Sequence, residues 1–272
     1  MPRPARSGSS PQPGHTSFII TLAGLAALLL AACGAPRAGG PPLPPPPHPA
    51  VRGEALTGIV RSGVLRVDSD LSDPPLAFRE GTTPRGFEID LATLLAAAMG
   101  VRLQVTDTPR TQMHSGFTDA DLLISAIQPA GAPGQVSAPY YRMSQAVLSR
   151  GQSALPSDGS LRGLRVVAQV GSAGEDVAVG LGASPALVYL PIAALDAVSR
   201  GQAEAAVADA PMVVEYARTH PQLRVAAGRW GSVPLVVVAR ADAPDLLTFT
   251  SAAIRELEQT GGLAQLRQRW HL

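Results

Sequence analysis

Six short apolar runs recur along this sequence, at 64–67, 103–105, 122–126, 166–169, 205–208 and 235–239. Each is too short for a helix, and most place apolar residues side by side, although Arg66, Gln104, Ser125 and Gln169 fall within four of them. Such a run must be covered on both faces, so these segments are expected to be buried strands. Between them lie stretches with helical spacing. In the clearest, 88–99, Leu91, Leu94, Leu95, Ala98 and Met99 share a face and Gly100 supplies the stop. A last stretch places Leu246, Leu247, Thr250, Ile254 and Leu257 at helical spacing, pauses at Gly261 and Gly262, and resumes with Leu263, Leu266 and Trp270, the pattern of a closing helix pair. Strands alternating with helices imply an α/β fold of mostly parallel sheet flanked by helices on both faces. The absence of a 20–50-residue repeat excludes solenoids and propellers.

Ahead of this alternation the chain changes character. Arg3 and Arg6 precede an uncharged run over 18–30, and Ala31 and Ala32 lead to Cys33, the order of a secretory signal. The run is short for a membrane span. Leu30-Ala31-Ala32-Cys33 resembles the lipobox of bacterial lipoproteins. That resemblance implies removal of residues 1–32 and acylation of Cys33. As the only cysteine, Cys33 has no partner for an internal disulfide. A single acyl chain holds weakly, at about 0.8 kcal/mol per buried methylene, so stable anchoring takes more than one. Residues 33–50 are rich in proline, with Pro41, Pro42 and Pro44 to Pro47 favouring extended polyproline II, and are expected to be a stiff spacer.

In open parallel sheets ligands bind beyond the carboxyl ends of the strands. Those ends carry Asp68, Ser69, Asp70 and Asp73 after the first run, Ser125 and Gln128 after the third, Gly171-Ser172-Ala173-Gly174 after the fourth and Asp209 after the fifth. Acids and hydroxyls at each end suggest a small polar ligand gripped from several sides. The Gly171–Ser172 turn reads in two ways, as backbone N–H groups aimed at an anion or as a tight strand-to-helix turn capped by Ser172. Asp209 likewise suits either a ligand contact or a helix start ahead of Pro211. Glu88 and Asp90 are expected as first-turn carboxylates at the positive end of a helix dipole.

A net charge of +1 argues against a nucleic-acid footprint. No G-x-S-x-G elbow, Walker loop or G-x-G-x-x-G occurs. His15, His48, His114, His220 and His271 are scattered singly, without zinc-ligand spacing. No metal or cofactor is therefore expected. Trp230, Trp270, Tyr140 and Tyr141 are expected to be packing residues.

Seven segments taken together resemble the extracytoplasmic solute-binding proteins of ABC importers, in the amino-acid-binding family. They are SGVLRVDSDLSDPPLAF (62–78), GFEIDLATLLAAAMGV (86–101), DLLISAI (121–127), APYY (138–141), LRGLRVVAQVGSAGEDVA (161–178), ALDAVSRGQAEAAVADAP (194–211) and TGGLAQLRQRW (260–270). The resemblance implies a two-lobed flytrap with two hinge crossovers, lobe one over 51–142 plus 234–272 and lobe two over 143–233. It also implies a monomer that faces the periplasm or cell exterior, binds a small-molecule solute and serves an ABC permease with its ATPase. Asp209 matches the acid that grips the ligand's amino group, Gly171 and Ser172 the turn that receives its carboxylate, and Asp70 and Ser125 the pocket wall. Where the family has an aromatic residue before the paired prolines this chain has Asp73, and after them it has Leu76 for phenylalanine. The family's carboxylate-clamping arginine is missing from 129–134. Asp70, Asp73 and Asp209 tilt the pocket towards an amine-bearing ligand, and Arg110 or Arg142 could restore an anion contact. Two other readings remain: a cyclohexadienyl dehydratase-like enzyme with Glu175 as its acid, and a binding module serving a separate sensor or dehydrogenase.

Overall fold

A computed structural model describes residues 41–48, 56, 58–59, 61–150 and 159–272, which belong to one compact unit, Gly40–Leu272. The signal segment 1–32 and Cys33 lie outside the described residues. The first half contains β1 (Val64–Ser69), β2 (Ser72–Asp73), β3 (Ala77–Glu80), β4 (Thr83–Arg85), α1 (Phe87–Met99), β5 (Arg102–Asp107), α2 (Arg110–Met113), β6 (Leu122–Leu123) and β7 (Gln135–Arg150). Next come β8 (Val166–Gln169), α3 (Ala173–Gly180), β9 (Ala186–Val188), α4 (Pro191–Ser199), β10 (Ala205–Asp209) and α5 (Ala210–Thr219). The chain ends with β11 (Leu223–Val225), β12 (Trp230–Ala239), α6 (Pro244–Gln259) and α7 (Gly262–Arg269). No helix among the described residues is long and apolar enough to cross a membrane.

The main sheet runs β5-β1-β6-β12-β7-β10-β8-β9, with β11 also on β7, and β2-β3-β4 form a small separate sheet. Pairing is parallel towards both ends, β1 with β5 and β6 and β8 with β10 and β9. β5 departs from the expected buried strand: none of its residues is buried, because it is the edge strand and Leu103 and Val105 alternate with the exposed Arg102 and Gln104. The centre differs. There β7 and β12 lie antiparallel to each other and to their outer neighbours, so the sheet is mixed. β7 escapes notice as an apolar run because polar residues and Pro139 interrupt it. Pro139 pairs with Val236 at a register shift, as expected for a residue with no N–H to give the ladder.

The apolar core divides along β7. Leu65, Val67, Leu91, Leu95, Leu122, Val237, Leu246 and Leu263 form one cluster, where α1, α6 and α7 cover one end of the sheet. Leu148, Leu195, Val198, Ala206 and Val213 form a second, and Val147, Leu161, Val166, Ala178 and Val207 a third, at the other end. Two lobes result, with β7 and β12 running between them. Where these strands cross, Arg142 pairs with Pro234 and Met143 with Val233.

Two glycines frame α1. At Gly86 φ is +127°, and a Cβ there would lie 2.1 Å from the Leu76 carbonyl oxygen, so no side chain fits. Gly100 closes the helix at φ +69°, its N–H directed to the last-turn carbonyls. Glu88 and Asp90 occupy the first turn as expected, but both are tied into the tertiary structure. Asp90 Oδ2 accepts from Trp270 Nε1 at 2.8 Å and from Arg269 Nε at 3.0 Å, fastening the end of α7 to α1.

The proline-rich stretch departs from a free spacer over residues 41–48. Pro44 and Pro47 are buried, three residues apart as a polyproline II repeat requires, and Leu43 packs on the first core. The His48 N–H donates to Glu256 Oε1 at 2.9 Å, and Arg269 donates to the Pro41 carbonyl. A polyproline II segment satisfies none of its own backbone groups, and proline loses almost no side-chain freedom on burial, so it docks readily.

Candidate functional site

A cavity of about 620 Å³ opens at the carboxyl ends of β8 and β10 and is closed from the other lobe by the segments after β1 and β6. Seven of the residues expected from the strand-end rule line it: Asp70, Asp73, Gln128, Gly171, Ser172, Ala173 and Asp209. Ser125 does not. It lies buried behind the wall, where its hydroxyl accepts the Asp70 N–H at 3.1 Å. Asp68 and Ser69 prove to be part of β1 itself, and Asp68 borders a separate cavity of about 300 Å³ beside Arg66.

Asp70 builds the wall. Its Oδ1 accepts from the Ser72 N–H and hydroxyl at 3.2 and 2.5 Å, and its Oδ2 accepts the Arg110 N–H at 3.0 Å. Arg110 opens α2, whose N-cap is Pro109, so the Asp70 carboxylate takes the place of a capping side chain. That bond helps bring the Arg110 side chain into the cleft, where Nη2 meets Asp73 Oδ2 at 2.6 Å. Arg110 Nε is buried and has no hydrogen-bond partner among the described residues. A guanidinium therefore lines the cavity, supplied by α2 instead of segment 129–134. Arg142, the other candidate, is exposed and is not among the lining residues.

Burial pushes the Asp73 carboxyl up to about 6 although Arg110 pulls it down, and the nearby Asp209 adds to the rise. Asp209 sits at the N-cap position of α5 without making a cap bond. Pro211, two residues on, has no N–H to offer, and Asp209 Oδ1 instead accepts from Gln145 Nε2 at 2.7 Å. Burial raises this carboxyl too, against the pull of Gln145 and Arg110. The cavity thus holds three carboxyl groups against one guanidinium. Among the described residues no three His, Cys, Asp or Glu side chains group as they would around a metal ion.

Residues 65–272 match the family model described as bacterial extracellular solute-binding proteins, family 3. The chain belongs to this family. A probable amino-acid ABC transporter-binding protein from Haemophilus influenzae is 22% identical over 80% of this chain and 88% of its own length. The membrane-bound lytic murein transglycosylase F of Cronobacter sakazakii is 26% identical over 79% of this chain, which spans only 44% of that longer protein. Among solved structures, a mutant of ArgBP from T. maritima superposes with a TM-score of 0.65 at 25% identity, covering 77% of this chain and 95% of its own. A truncated, arginine-bound form of ArgBP gives 0.61 at 26%, covering 72% and 96%. The mixed α/β architecture is that of the type II periplasmic binding proteins.

In this solute-binding protein the Gly171 turn takes the capped form. Ser172 Oγ accepts the Glu175 N–H at 3.2 Å and donates to the Gln169 carbonyl at 2.7 Å. The Gly171 N–H, a candidate anion donor, already donates to Glu175 Oε2 at 2.7 Å. Glu175 is therefore a capping carboxylate held at the turn and is not among the residues that line the cavity. Met143, Gln145, Tyr189 and Met212 line the cavity without having been marked by the sequence. Gln145 reaches Asp209 because the two are Cα partners across β7 and β10, a register that no local pattern encodes.

Proposed function

We propose that this solute-binding protein captures a small, amine-bearing, amino-acid-like solute in the interlobe cavity and delivers it to an ABC permease and its ATPase. The observation that carries the reading is the composition of the cleft: Asp73 and Asp209 beside a single guanidinium, Arg110, whose Nε is uncommitted. Asp209 would receive the solute's ammonium group. Arg110 would receive its carboxylate, in place of the arginine that 129–134 lacks, through a charge-assisted bond. With acids in excess, a solute carrying a second positive charge is favoured. The likeness to an arginine-bound ArgBP and to an amino-acid ABC transporter-binding protein supports this class.

On this reading lobe one comprises 51–142 plus 234–272 and lobe two 143–233, with the boundaries at the facing pairs Arg142–Pro234 and Met143–Val233. The cleft closes by hinge motion because the solute binds the closed state more tightly. The protein acts as a monomer outside the cytoplasm, tethered through acylated Cys33.

Calorimetric titration with arginine, lysine, putrescine and glutamate tests the reading. Heat is expected with the basic solutes. Asp209→Asn should weaken arginine binding by about 3 kcal/mol, or roughly 150-fold, the cost of breaking a buried charge pair. Silence with every basic solute, together with tight glutamate binding, would refute it.

A further inference from the structure

Behind the cavity wall one buried carboxyl joins three elements. Glu88, in the first turn of α1, is 1% exposed. Its Oε1 accepts the Tyr140 hydroxyl at 2.5 Å and the Ala126 N–H at 2.7 Å. Tyr140 is fully buried on β7, the strand that runs between the lobes. Ala126 lines the cavity and has a φ of +49°, a left-handed conformation that alanine rarely adopts and that its surroundings must therefore impose. Ile127 and Gln128, which follow it, also line the cavity. We infer that Glu88 is a positioning residue that locks the solute-facing turn 126–128 to β7, so that one proton at this carboxyl resets solute affinity. This inference rests on the capture reading above.

The titratable and charged groups that act on Glu88 are Tyr140 of β7, Asp73 of β2 and Arg110 of α2. Burial pushes its carboxyl up to about 7, against the hydrogen bonds from Tyr140 and Ala126. When ionised, Glu88 accepts both bonds at full strength and adds negative charge behind Asp73 and Arg110. When protonated, it holds turn and strand less firmly and that charge disappears. Affinity for a basic solute is therefore high above about pH 7 and falls on acidification through it, by roughly tenfold if one charge-assisted hydrogen bond is weakened. Asp73, whose carboxyl is raised to about 6, adds its own loss of affinity at lower pH, overlapping the first.

The test is arginine affinity of the intact protein across this range, for the wild type and for Glu88→Gln, which keeps an acceptor oxygen but cannot ionise. The wild type should show both falls. Glu88→Gln should bind at the weaker level throughout the upper range and show only the lower fall. A Glu88→Gln profile parallel to the wild type would overturn the inference, because a purely structural role lowers affinity equally at every pH. Tyr140→Phe gives an independent check. It removes a bond that lowers the Glu88 carboxyl pKa, so the upper midpoint should move to higher pH, and an unmoved midpoint counts against Glu88. Arginine binding with no pH dependence overturns this inference alone, whereas silence with arginine, lysine and putrescine at every pH, together with tight glutamate binding, removes the capture reading with it.

Discussion

Replacing Asp73 with asparagine isolates the free energy stored in one buried carboxyl. In the folded protein this group titrates at about 6, against 3.8 when unperturbed, and it is buried beside Arg110. A carboxyl whose pKa rises on folding binds more protons in the native state. Its contribution to stability is therefore fully present below the unfolded value and is lost as pH rises through the folded one. A shift of about two units corresponds to about 3 kcal/mol, most of it lost between about pH 4 and pH 7. Asparagine preserves the shape and an acceptor for Arg110 Nη2 but has no proton to lose. The other carboxyls titrate in both proteins and cancel to first order in the difference. Measured by urea unfolding across that range, the stability of Asp73→Asn relative to wild type should therefore climb with pH by about 2–3 kcal/mol, whatever its offset at the acid end. A flat difference, or one that falls with pH, would show that Asp73 is not a desolvated carboxyl in the folded protein, and the charge balance assigned to the cleft would fail with it.

Two further substitutions test the frame around the site. Gly86→Ala and Gly81→Ala both place a side chain at positive φ, but only Gly86 is pressed against Leu76 while Gly81 opens to empty space. Thermal unfolding should show about 1 kcal/mol lost at Gly81, and about 3 kcal/mol or more at Gly86, where backbone must move. Equal losses would contradict the close approach of β3 and α1. Leu43→Ser probes the docked proline segment: with Leu43 packed on the first core, it should lower stability by about 1–2 kcal/mol, a few degrees in Tm for a domain of this size, whereas a free spacer predicts no change.

The elements were most legible where burial acts on consecutive residues. The run at 166–169 coincides with β8, 205–208 lies within β10 and 88–99 within α1, with Gly100 ending the helix as read. A strand covered on both faces has few places for polar residues, so it stands out in composition, although β1 also buries Arg66, Asp68 and Ser69 and so extends beyond its apolar run. β7 carried no such mark, because successive stretches of it meet different neighbours and its polar residues find partners far along the chain, Tyr140 on Glu88 and Gln145 on Asp209. The strand-end rule found the lining acids for a related reason: short polar residues just beyond an apolar run belong to the loops where such sheets bind ligands.

Which acid acts on which partner could not be read in this way. Asp73 and Arg110 lie 37 residues apart, Glu88 and Tyr140 52, and Gln145 and Asp209 64, and each pair is set by sheet register and helix packing. The turn at Gly171 admitted an anion donor or a cap until the Glu175 carboxylate was seen on its N–H. The proline segment reads alike whether free or docked, since polyproline II is fixed by its own φ preference while docking depends on what lies opposite. By itself the sequence determined the α/β class, most of the buried strands though not the exposed edge strand β5, and the acids at the strand ends, all consequences of how far apolar and polar groups can sit from water. Only the tertiary structure decided which of those acids confront a guanidinium, which close a turn and which lie buried with a proton to lose, because charge interactions depend on distance in space and not on distance along the chain.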